Sequence, residues 1–249
     1  MVQRYFPATH LLKTLVVITK FPSLISLPTV SRRARYTAPV TSLGMGELHD
    51  AVDFVAGRVS SASEPTYSHR YWNKIDSTAH GSGTKSAETL AQVCAFDSEM
   101  KRLWQLTSGD TSIVITAGHT DADSPKNRKF RIDPIDELSQ MLESEPAGES
   151  RLLFFRVKNG LNGNFAQLFR DRFGEFMSLF TIDEVLELEL LDPGSVSETT
   201  ASRMGDFLAV TRGAYSIEFC AEGDERMLLL DSTRGSLTPA EMQVPVIIA

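Results

Sequence analysis

Ser112-Ile113-Val114-Ile115-Thr116-Ala117, followed at once by Gly118-His119-Thr120-Asp121-Ala122-Asp123, is the stretch whose reading decides the fold. Four consecutive β-branched residues, entered from Gly109-Asp110 and left through Gly118, predict a short buried strand with a polar loop at its carboxyl end. A long amphipathic helix precedes it, from about Ser86 to Leu106, with Leu90, Val93, Met100, Leu103 and Trp104 as its core stripe. A helix feeding a buried strand implies a crossover, so the expected fold is α/β, with a largely parallel central sheet flanked by helices. In such sheets ligands gather outside the carboxyl ends of the strands, which places His80 and His119 on the productive edge.

Just upstream lies Tyr71-Trp72-Asn73-Lys74-Ile75-Asp76-Ser77-Thr78-Ala79-His80. An acid and an imidazole four residues apart share one face of a helix. At a strand end the same pair can converge on a cation. Taken alone, such a pair is ordinarily two solvated neighbours. Gly81 and Gly83 then read as a flexible loop, and Thr66–Trp72 reads as a strand with Tyr67, His69 and Tyr71 on one side. His69 falls mid-strand and reads as packing. Leu48, Val52, Val55 and Val59 carry helical spacing within Glu47–Val59, and residues 14–18 form a β-branched run bounded by lysines, a buried strand.

Downstream, the pattern predicts helices at Ile135–Ser144 and Phe165–Phe173 and strands at Arg151–Val157 and Phe176–Phe180. Thr181-Ile182-Asp183-Glu184 is a capping box opening a short helix to about Leu190. The remainder reads as β-rich: Phe207–Thr211, Tyr215–Cys220, Met227–Leu230 and Val244–Ile248. No internal repeat, GxGxxG, P-loop or GxSxG is present.

The net charge of -7 over 249 residues argues against nucleic acid as a partner. No acid precedes Glu47, whereas Arg4, Lys13, Lys20, Arg32, Arg33 and Arg35 do, so 19 of the 25 basic residues face all 32 acids in the rest. Residues 1–45 therefore stand apart as a basic leader with an edge strand and loop, and residues 46–249 as the main domain. Pro22, Pro28 and Pro39 predict irregular loop around the cluster Ser31-Arg32-Arg33-Ala34-Arg35. Lys13 and Lys20 cut the apolar run at Leu11–Thr19 short of a membrane span. A cytoplasmic protein is the expectation, although an acid-poor leader of this kind also fits organellar targeting or a poor secretory signal. Cys94 and Cys220 form no CxxC and read as reduced, buried thiols; Trp72 and Trp104 read as core.

The order of motifs resembles the C-terminal half of the alkaline phosphatase superfamily, in its type I phosphodiesterase and nucleotide pyrophosphatase branch. The matching pieces are Tyr71-Trp72 through Asp76 and His80, then Thr116-Ala117-Gly118-His119 with Asp123–Pro125 nearby. Gly148-Glu149-Ser150-Arg151 and Arg203-Met204-Gly205-Asp206 follow, and Gly235-Ser236-Leu237-Thr238-Pro239-Ala240-Glu241-Met242 closes the series before Val244-Pro245. They run over residues 46–249.

The resemblance implies an alkaline-phosphatase-like domain, truncated at its N-terminal half, and two zinc ions clamping the oxygens of a phosphoester. One ion would take Asp76, His80 and a third ligand, a histidine in the family, where Arg234 stands here. The other would take His119, but Gly118 replaces the accompanying carboxylate, and the early Asp and its neighbouring nucleophile have no counterpart. A guanidinium has no lone pair for zinc. Asp76, His80 and His119 are thus the metal candidates, Arg234 a phosphate-binding candidate, and no nucleophile is found. Asp121 and Asp123 read as loop-solvating carboxylates, with replacement of lost ligands as the alternative.

The implied function is a weakly active or inactive zinc phosphodiesterase or nucleotide pyrophosphatase relative acting on a phosphoester or nucleotide. The alternatives are a metal-free phosphate- or nucleotide-binding module and a hydrolase completed by a second chain. An uncovered sheet edge would favour self-association or a partner chain.

Overall fold

The computed structural model describes residues 46–249, apart from 65, 108, 110, 192, 193, 195, 221, 222, 224 and 225, and the backbone of one earlier strand, Thr14–Thr19. The basic cluster Ser31–Arg35 and its proline-rich surroundings lie outside the described residues.

In chain order the first elements are β1 (Thr14–Thr19), α1 (Leu48–Ser61), β2 (Tyr67–Trp72), α2 (Lys74–Ser82), α3 (Ala87–Thr107) and β3 (Ser112–Ala117). Next come β4 (Ala122–Asp123), β5 (Lys129–Ile132), α4 (Glu137–Gln140), β6 (Ala147–Glu149), β7 (Leu152–Phe155), α5 (Asn162–Phe173), β8 (Met177–Thr181) and α6 (Ile182–Glu187). The chain ends with α7 (Glu198–Met204), β9 (Phe207–Thr211), β10 (Ser216–Phe219), β11 (Ser232–Thr233), α8 (Pro239–Met242) and β12 (Val246–Ile248).

The fold is mixed α/β, but the sheets are not the largely parallel one expected. One four-stranded sheet has the order β12-β3-β1-β2 and another β6-β7-β9-β8, and every neighbouring pair in both is antiparallel. Among the described strands only β5 and β10 pair in parallel. The crossover argument fails at one step. β2 and β3 both run antiparallel to β1, so the helical connection between them does return the chain in the same direction. Strand β1, from far upstream, is inserted between them, and no local pattern announces an insertion of that kind.

Alternation governs the first sheet. Ile113, Ile115 and Ala117 of β3 are buried and their neighbours less so, and this face packs on Leu48, Val52, Val55 and Val59 of α1 and on Val93, Phe96, Met100 and Leu103 of α3. Leu90 and Trp104, assigned to the core stripe from their spacing, are half exposed, so the buried stripe is narrower than the hydrophobic one; Trp72 is buried. His69 faces outward with Tyr67 and Tyr71 on edge strand β2, not into packing.

The second sheet shows the other pattern. Every residue of Phe207-Leu208-Ala209-Val210-Thr211 in β9 is buried because both faces are covered. Phe207 and Ala209 join an aromatic core with Phe155, Phe165 and Phe169, while Leu208 and Val210 pack with Val185 and Met204 on the other side. The capping box at Thr181 forms as read: its side chain accepts from the Glu184 amide, and the Glu184 carboxylate accepts from the Thr181 amide at 2.7 Å.

Other boundaries moved. The helix expected at Ile135–Ser144 is only the turn Glu137–Gln140, and the strand expected at Met227–Leu230 is a 3-10 turn, Arg226–Leu229. Cys94 is exposed and Cys220 half-buried; neither is in a disulfide, but neither is buried as expected. No helix among the described residues is long and apolar enough to cross a membrane.

Candidate metal centre

Helix α2 carries the first two residues. Asp76 and His80 lie four apart on its inward face, with Ile75 and Ala79 buried beside them. Gly81 belongs to the helix rather than to a loop, and Gly83 ends it at φ 87°, where the left-handed turn favours glycine. The chain there is tied down by Asp123, whose Oδ1 accepts from the Thr84 amide at 2.7 Å. Asp123 is therefore spent on structure.

His119 and Asp121 come from the loop after β3. Strand β4 pairs with β11 through Ala122↔Thr233 and Asp123↔Ser232, which brings Arg234 to the same point. The Asp231 amide donates to the His80 carbonyl at 2.7 Å, joining α2 to this ladder. Three chain segments far apart in sequence thus meet at one end of the first sheet.

Their side chains form a closed ring of alternating carboxylates and imidazoles. Asp76 Oδ1 lies 3.6 Å from His80 Nε2, and His80 Nδ1 lies 3.2 Å from Asp121 Oδ2. Asp121 Oδ1 lies 3.5 Å from His119 Nδ1, and His119 Nε2 lies 3.8 Å from Asp76 Oδ1. Donor atoms of Asp76, His80 and Asp121 all fall within 4.8 Å of one another, and His119 closes the ring from the far side.

The ring is buried and underbonded. The Asp121 side chain is 0% exposed and that of Asp76 only 8%. Yet Asp76 Oδ1, Asp121 Oδ1 and both ring nitrogens of His119 have no hydrogen-bond partner among the described residues. Asp121 Oδ2 does accept from the Ser232 hydroxyl at 3.0 Å. Burial pushes the Asp121 carboxyl up, but the neighbouring His119 and His80 rings and the Ser232 hydroxyl together outweigh it and hold the group below its ordinary value.

Arg234 enters from the C-terminal loop. His80 Nδ1 lies 2.8 Å from the Ser232 carbonyl, which can only accept, so Nδ1 carries the proton and Nε2 the lone pair. Arg234 Nη1 donates to that Nε2 at 2.9 Å, and lies 3.6 Å from Asp76 Oδ1. Its Nε lies 3.7 Å from Glu149 Oε1. Gly235, at φ 115°, allows the close approach, since a Cβ there would stand 2.8 Å from Glu149 Cβ.

The loops that carry these groups are clamped by a second buried cluster. Arg151 is 0% exposed and holds Glu241 in a two-bond fork at 2.7 and 2.9 Å. Two more of its N–H groups donate to the Tyr215 and Gly213 carbonyls. Glu241 also accepts from the Ser236 amide, just past Arg234. Thr120, between His119 and Asp121, donates its hydroxyl to the Ala240 carbonyl of α8.

Asp76, His80, His119 and Arg234, all singled out in the sequence, are brought together. Asp121 reads in the sequence mainly as a loop carboxylate, yet it is the most buried member of the ring. Its signal was present only as an acid two residues past His119, indistinguishable there from Asp123.

The donor set fits a divalent cation. Two donors about 2.1 Å from a common tetrahedral ion stand roughly 3.4 Å apart, close to the 3.6 Å between Asp76 Oδ1 and His80 Nε2, and nitrogen-oxygen sets of this kind suit divalent transition metals. Asp76 Oδ1 meets three nitrogens at 3.6, 3.6 and 3.8 Å and bonds none, which leaves a buried carboxylate oxygen able to serve as a ligand.

A comparison with protein families finds the type I phosphodiesterase / nucleotide pyrophosphatase model matching residues 20–236, and the chain belongs to that family, within the alkaline phosphatase superfamily. Among solved structures it is similar to murine ectonucleotide pyrophosphatase/phosphodiesterase 5 in an inactive form with AMP, at TM-score 0.57 and 16% identity, over 82% of this chain and 52% of that one. The human counterpart gives the same values. Phosphonoacetate hydrolase from Sinorhizobium meliloti 1021 follows at TM-score 0.47 and 16% identity, over 70% and 43%. The chain spans about half the length of these relatives. At such identity they show the fold alone. No curated protein sequence matches.

Proposed function

We propose that this chain binds the phosphoryl group of a nucleotide or another phosphoester at a single-zinc centre and hydrolyses it slowly or not at all. The observation that carries the reading is the buried ring of Asp76, His80, His119 and Asp121, whose inward atoms lack partners, in a member of a phosphodiesterase family. Asp76, His80 and Asp121 would hold the ion, which when bound supplies positive charge for phosphate oxygens. The AMP seen in the murine relative suggests a nucleotide as the first ligand to try.

Slow turnover follows from the chain's own groups. The hydroxyl seen to touch the ring, that of Ser232, is fully buried and directs its proton to Asp121, so it offers no exposed oxygen for attack on phosphorus. Gly118 and Arg234 stand where the family pattern puts a carboxylate and an imidazole, which leaves donors for one ion rather than two. Zinc content after dialysis and hydrolysis of an aryl phosphodiester test the proposal. Expected are well under two ions per chain, zinc-dependent binding of AMP, and a rate near background. The double variant Gly118→Asp with Arg234→His should gain zinc affinity while its rate stays low. Two firmly held ions with vigorous turnover by the unmodified chain would overturn the reading.

A metal-free phosphate site is the second reading, favoured by the Arg234 guanidinium already seated in the ring. Phosphate binding undiminished by a chelator would select it.

A further inference from the structure

Arg234 makes one firm contact in the ring and two loose ones. Its hydrogen bond to His80 Nε2 is 2.9 Å, while Asp76 Oδ1 and Glu149 Oε1 stand off at 3.6 and 3.7 Å. The firm contact is the consequential one. Because the Ser232 carbonyl fixes the proton on Nδ1, Nε2 is the lone pair of His80 that faces Asp76, and the guanidinium covers it. A metal ion needs that same lone pair. The two cations are therefore mutually exclusive at His80.

Asp76 shows that the guanidinium is an imperfect occupant. Its Oδ1 is buried and has no hydrogen-bond partner among the described residues although a cationic group lies within 4 Å, so an ion bonding Asp76 directly would satisfy an atom that Arg234 does not. Glu149 supplies the other seat. It is half exposed, twice as much as Arg234, and is held against the Arg234 loop by the close approach at Gly235.

We infer that Arg234 is a built-in competitor for the metal: it holds the cation position when no ion is present and swings onto the Glu149 carboxylate when one binds. This rests on the single-metal reading given above and adds how that site is controlled. No bond is made or broken; one cation exchanges for another, and the displaced positive charge stays beside the site. A guanidinium on Glu149 at the rim of a metal centre is then placed to meet a phosphate oxygen through a two-bond fork.

Zinc titrations of the full chain in a chelator-buffered solution test the exchange. Arg234→Gln and Arg234→Met should bind zinc roughly ten- to a hundredfold more tightly than the unmodified chain, the worth of one charge-assisted hydrogen bond. Glu149→Gln should weaken zinc binding severalfold, because the displaced arginine loses its seat. The same change made on Arg234→Gln should have no effect, since no arginine then needs seating. Plain charge repulsion predicts otherwise, with Glu149→Gln lowering affinity equally in both backgrounds, and that result would overturn the exchange. Equal zinc affinity with and without Arg234 would overturn it too, while leaving the metal centre standing. If neither Arg234 variant nor the unmodified chain binds zinc, both inference and metal centre fail. Melting curves of each variant establish that it is folded.

Discussion

Two buried polar clusters sit at the same end of this molecule and are built on opposite terms. In the Arg151–Glu241 cluster the guanidinium is fully buried and its bonds run to a carboxylate and two backbone carbonyls. In the ring of Asp76, His80, His119 and Asp121 four buried atoms have no hydrogen-bond partner among the described residues. Desolvating charged groups is costly, and a structure recovers that cost only where hydrogen bonds replace water. The first cluster recovers it within the chain and is a fastening. The second does not, and the difference marks it as a place prepared for something else.

Breaking the fastening should have the largest effect. Glu241→Ala leaves the Arg151 guanidinium buried without its carboxylate and frees the turn that holds Thr120. A loss of about 3–5 kcal/mol in urea unfolding is expected. A loss below about 1 kcal/mol would mean that the loops are held by something else.

Filling the ring should come next. Zinc at about a hundredfold over its dissociation constant should stabilise the chain by about 2.7 kcal/mol, seen as a rise in melting temperature. Asp121→Asn should abolish that rise. A zinc response surviving in Asp121→Asn would remove Asp121 from the ligand set.

Without metal the same substitution should do little. Asp121→Asn keeps an oxygen for the Ser232 hydroxyl and removes a buried charge with an unpartnered atom, so stability should stay within about 1 kcal/mol of the unmodified chain. A loss as large as that at Glu241 would erase the contrast between the clusters.

The smallest effect belongs to a pair that is satisfied but accessible to water. Asp136 caps α4 by accepting from the Leu138 amide and takes a fork from Arg172 at 2.7 and 2.9 Å. The arginine holds the Asp136 carboxyl below its ordinary value, against a smaller upward push from burial. A depressed folded-state value stabilises the protein above the ordinary carboxylate range, and the contribution is lost as pH falls through the folded value. Asp136→Asn should therefore cost at most about 1 kcal/mol near neutrality, after solvent screening, and should flatten part of the acid limb of stability below about pH 4. Unchanged acid unfolding would show the pair to be idle.

Legibility in the sequence followed the range of the interactions. Spacing at Leu48, Val52, Val55 and Val59 found α1, the β-branched run found β3, and the Thr181–Glu184 capping box was readable letter by letter. Each is settled within a few residues of itself. The turn at Glu137–Gln140 and the 3-10 turn at Arg226–Leu229 are not legible in this way, because apolar content alone does not say whether a partner strand or further helical turns are present. Leu90 and Trp104 carried the right period, but half of each remains in water because nothing described in the structure fully covers that flank of α3.

The sequence by itself determined the candidates: Asp76 and His80 on one helical face, His119 at the end of the best strand, Arg234 before the closing motif, and a family whose model covers residues 20–236. These are one-dimensional facts, spacings and residue types. Only the tertiary structure decided that Asp121 and not Asp123 joins them, that β1 separates β2 from β3, and that Arg234 covers the lone pair of His80. All three depend on which distant segments share a few ångströms. Two carboxylates two residues apart on one loop have the same local chemistry until a pairing such as β4 with β11 turns one toward the imidazoles and the other toward the Thr84 amide.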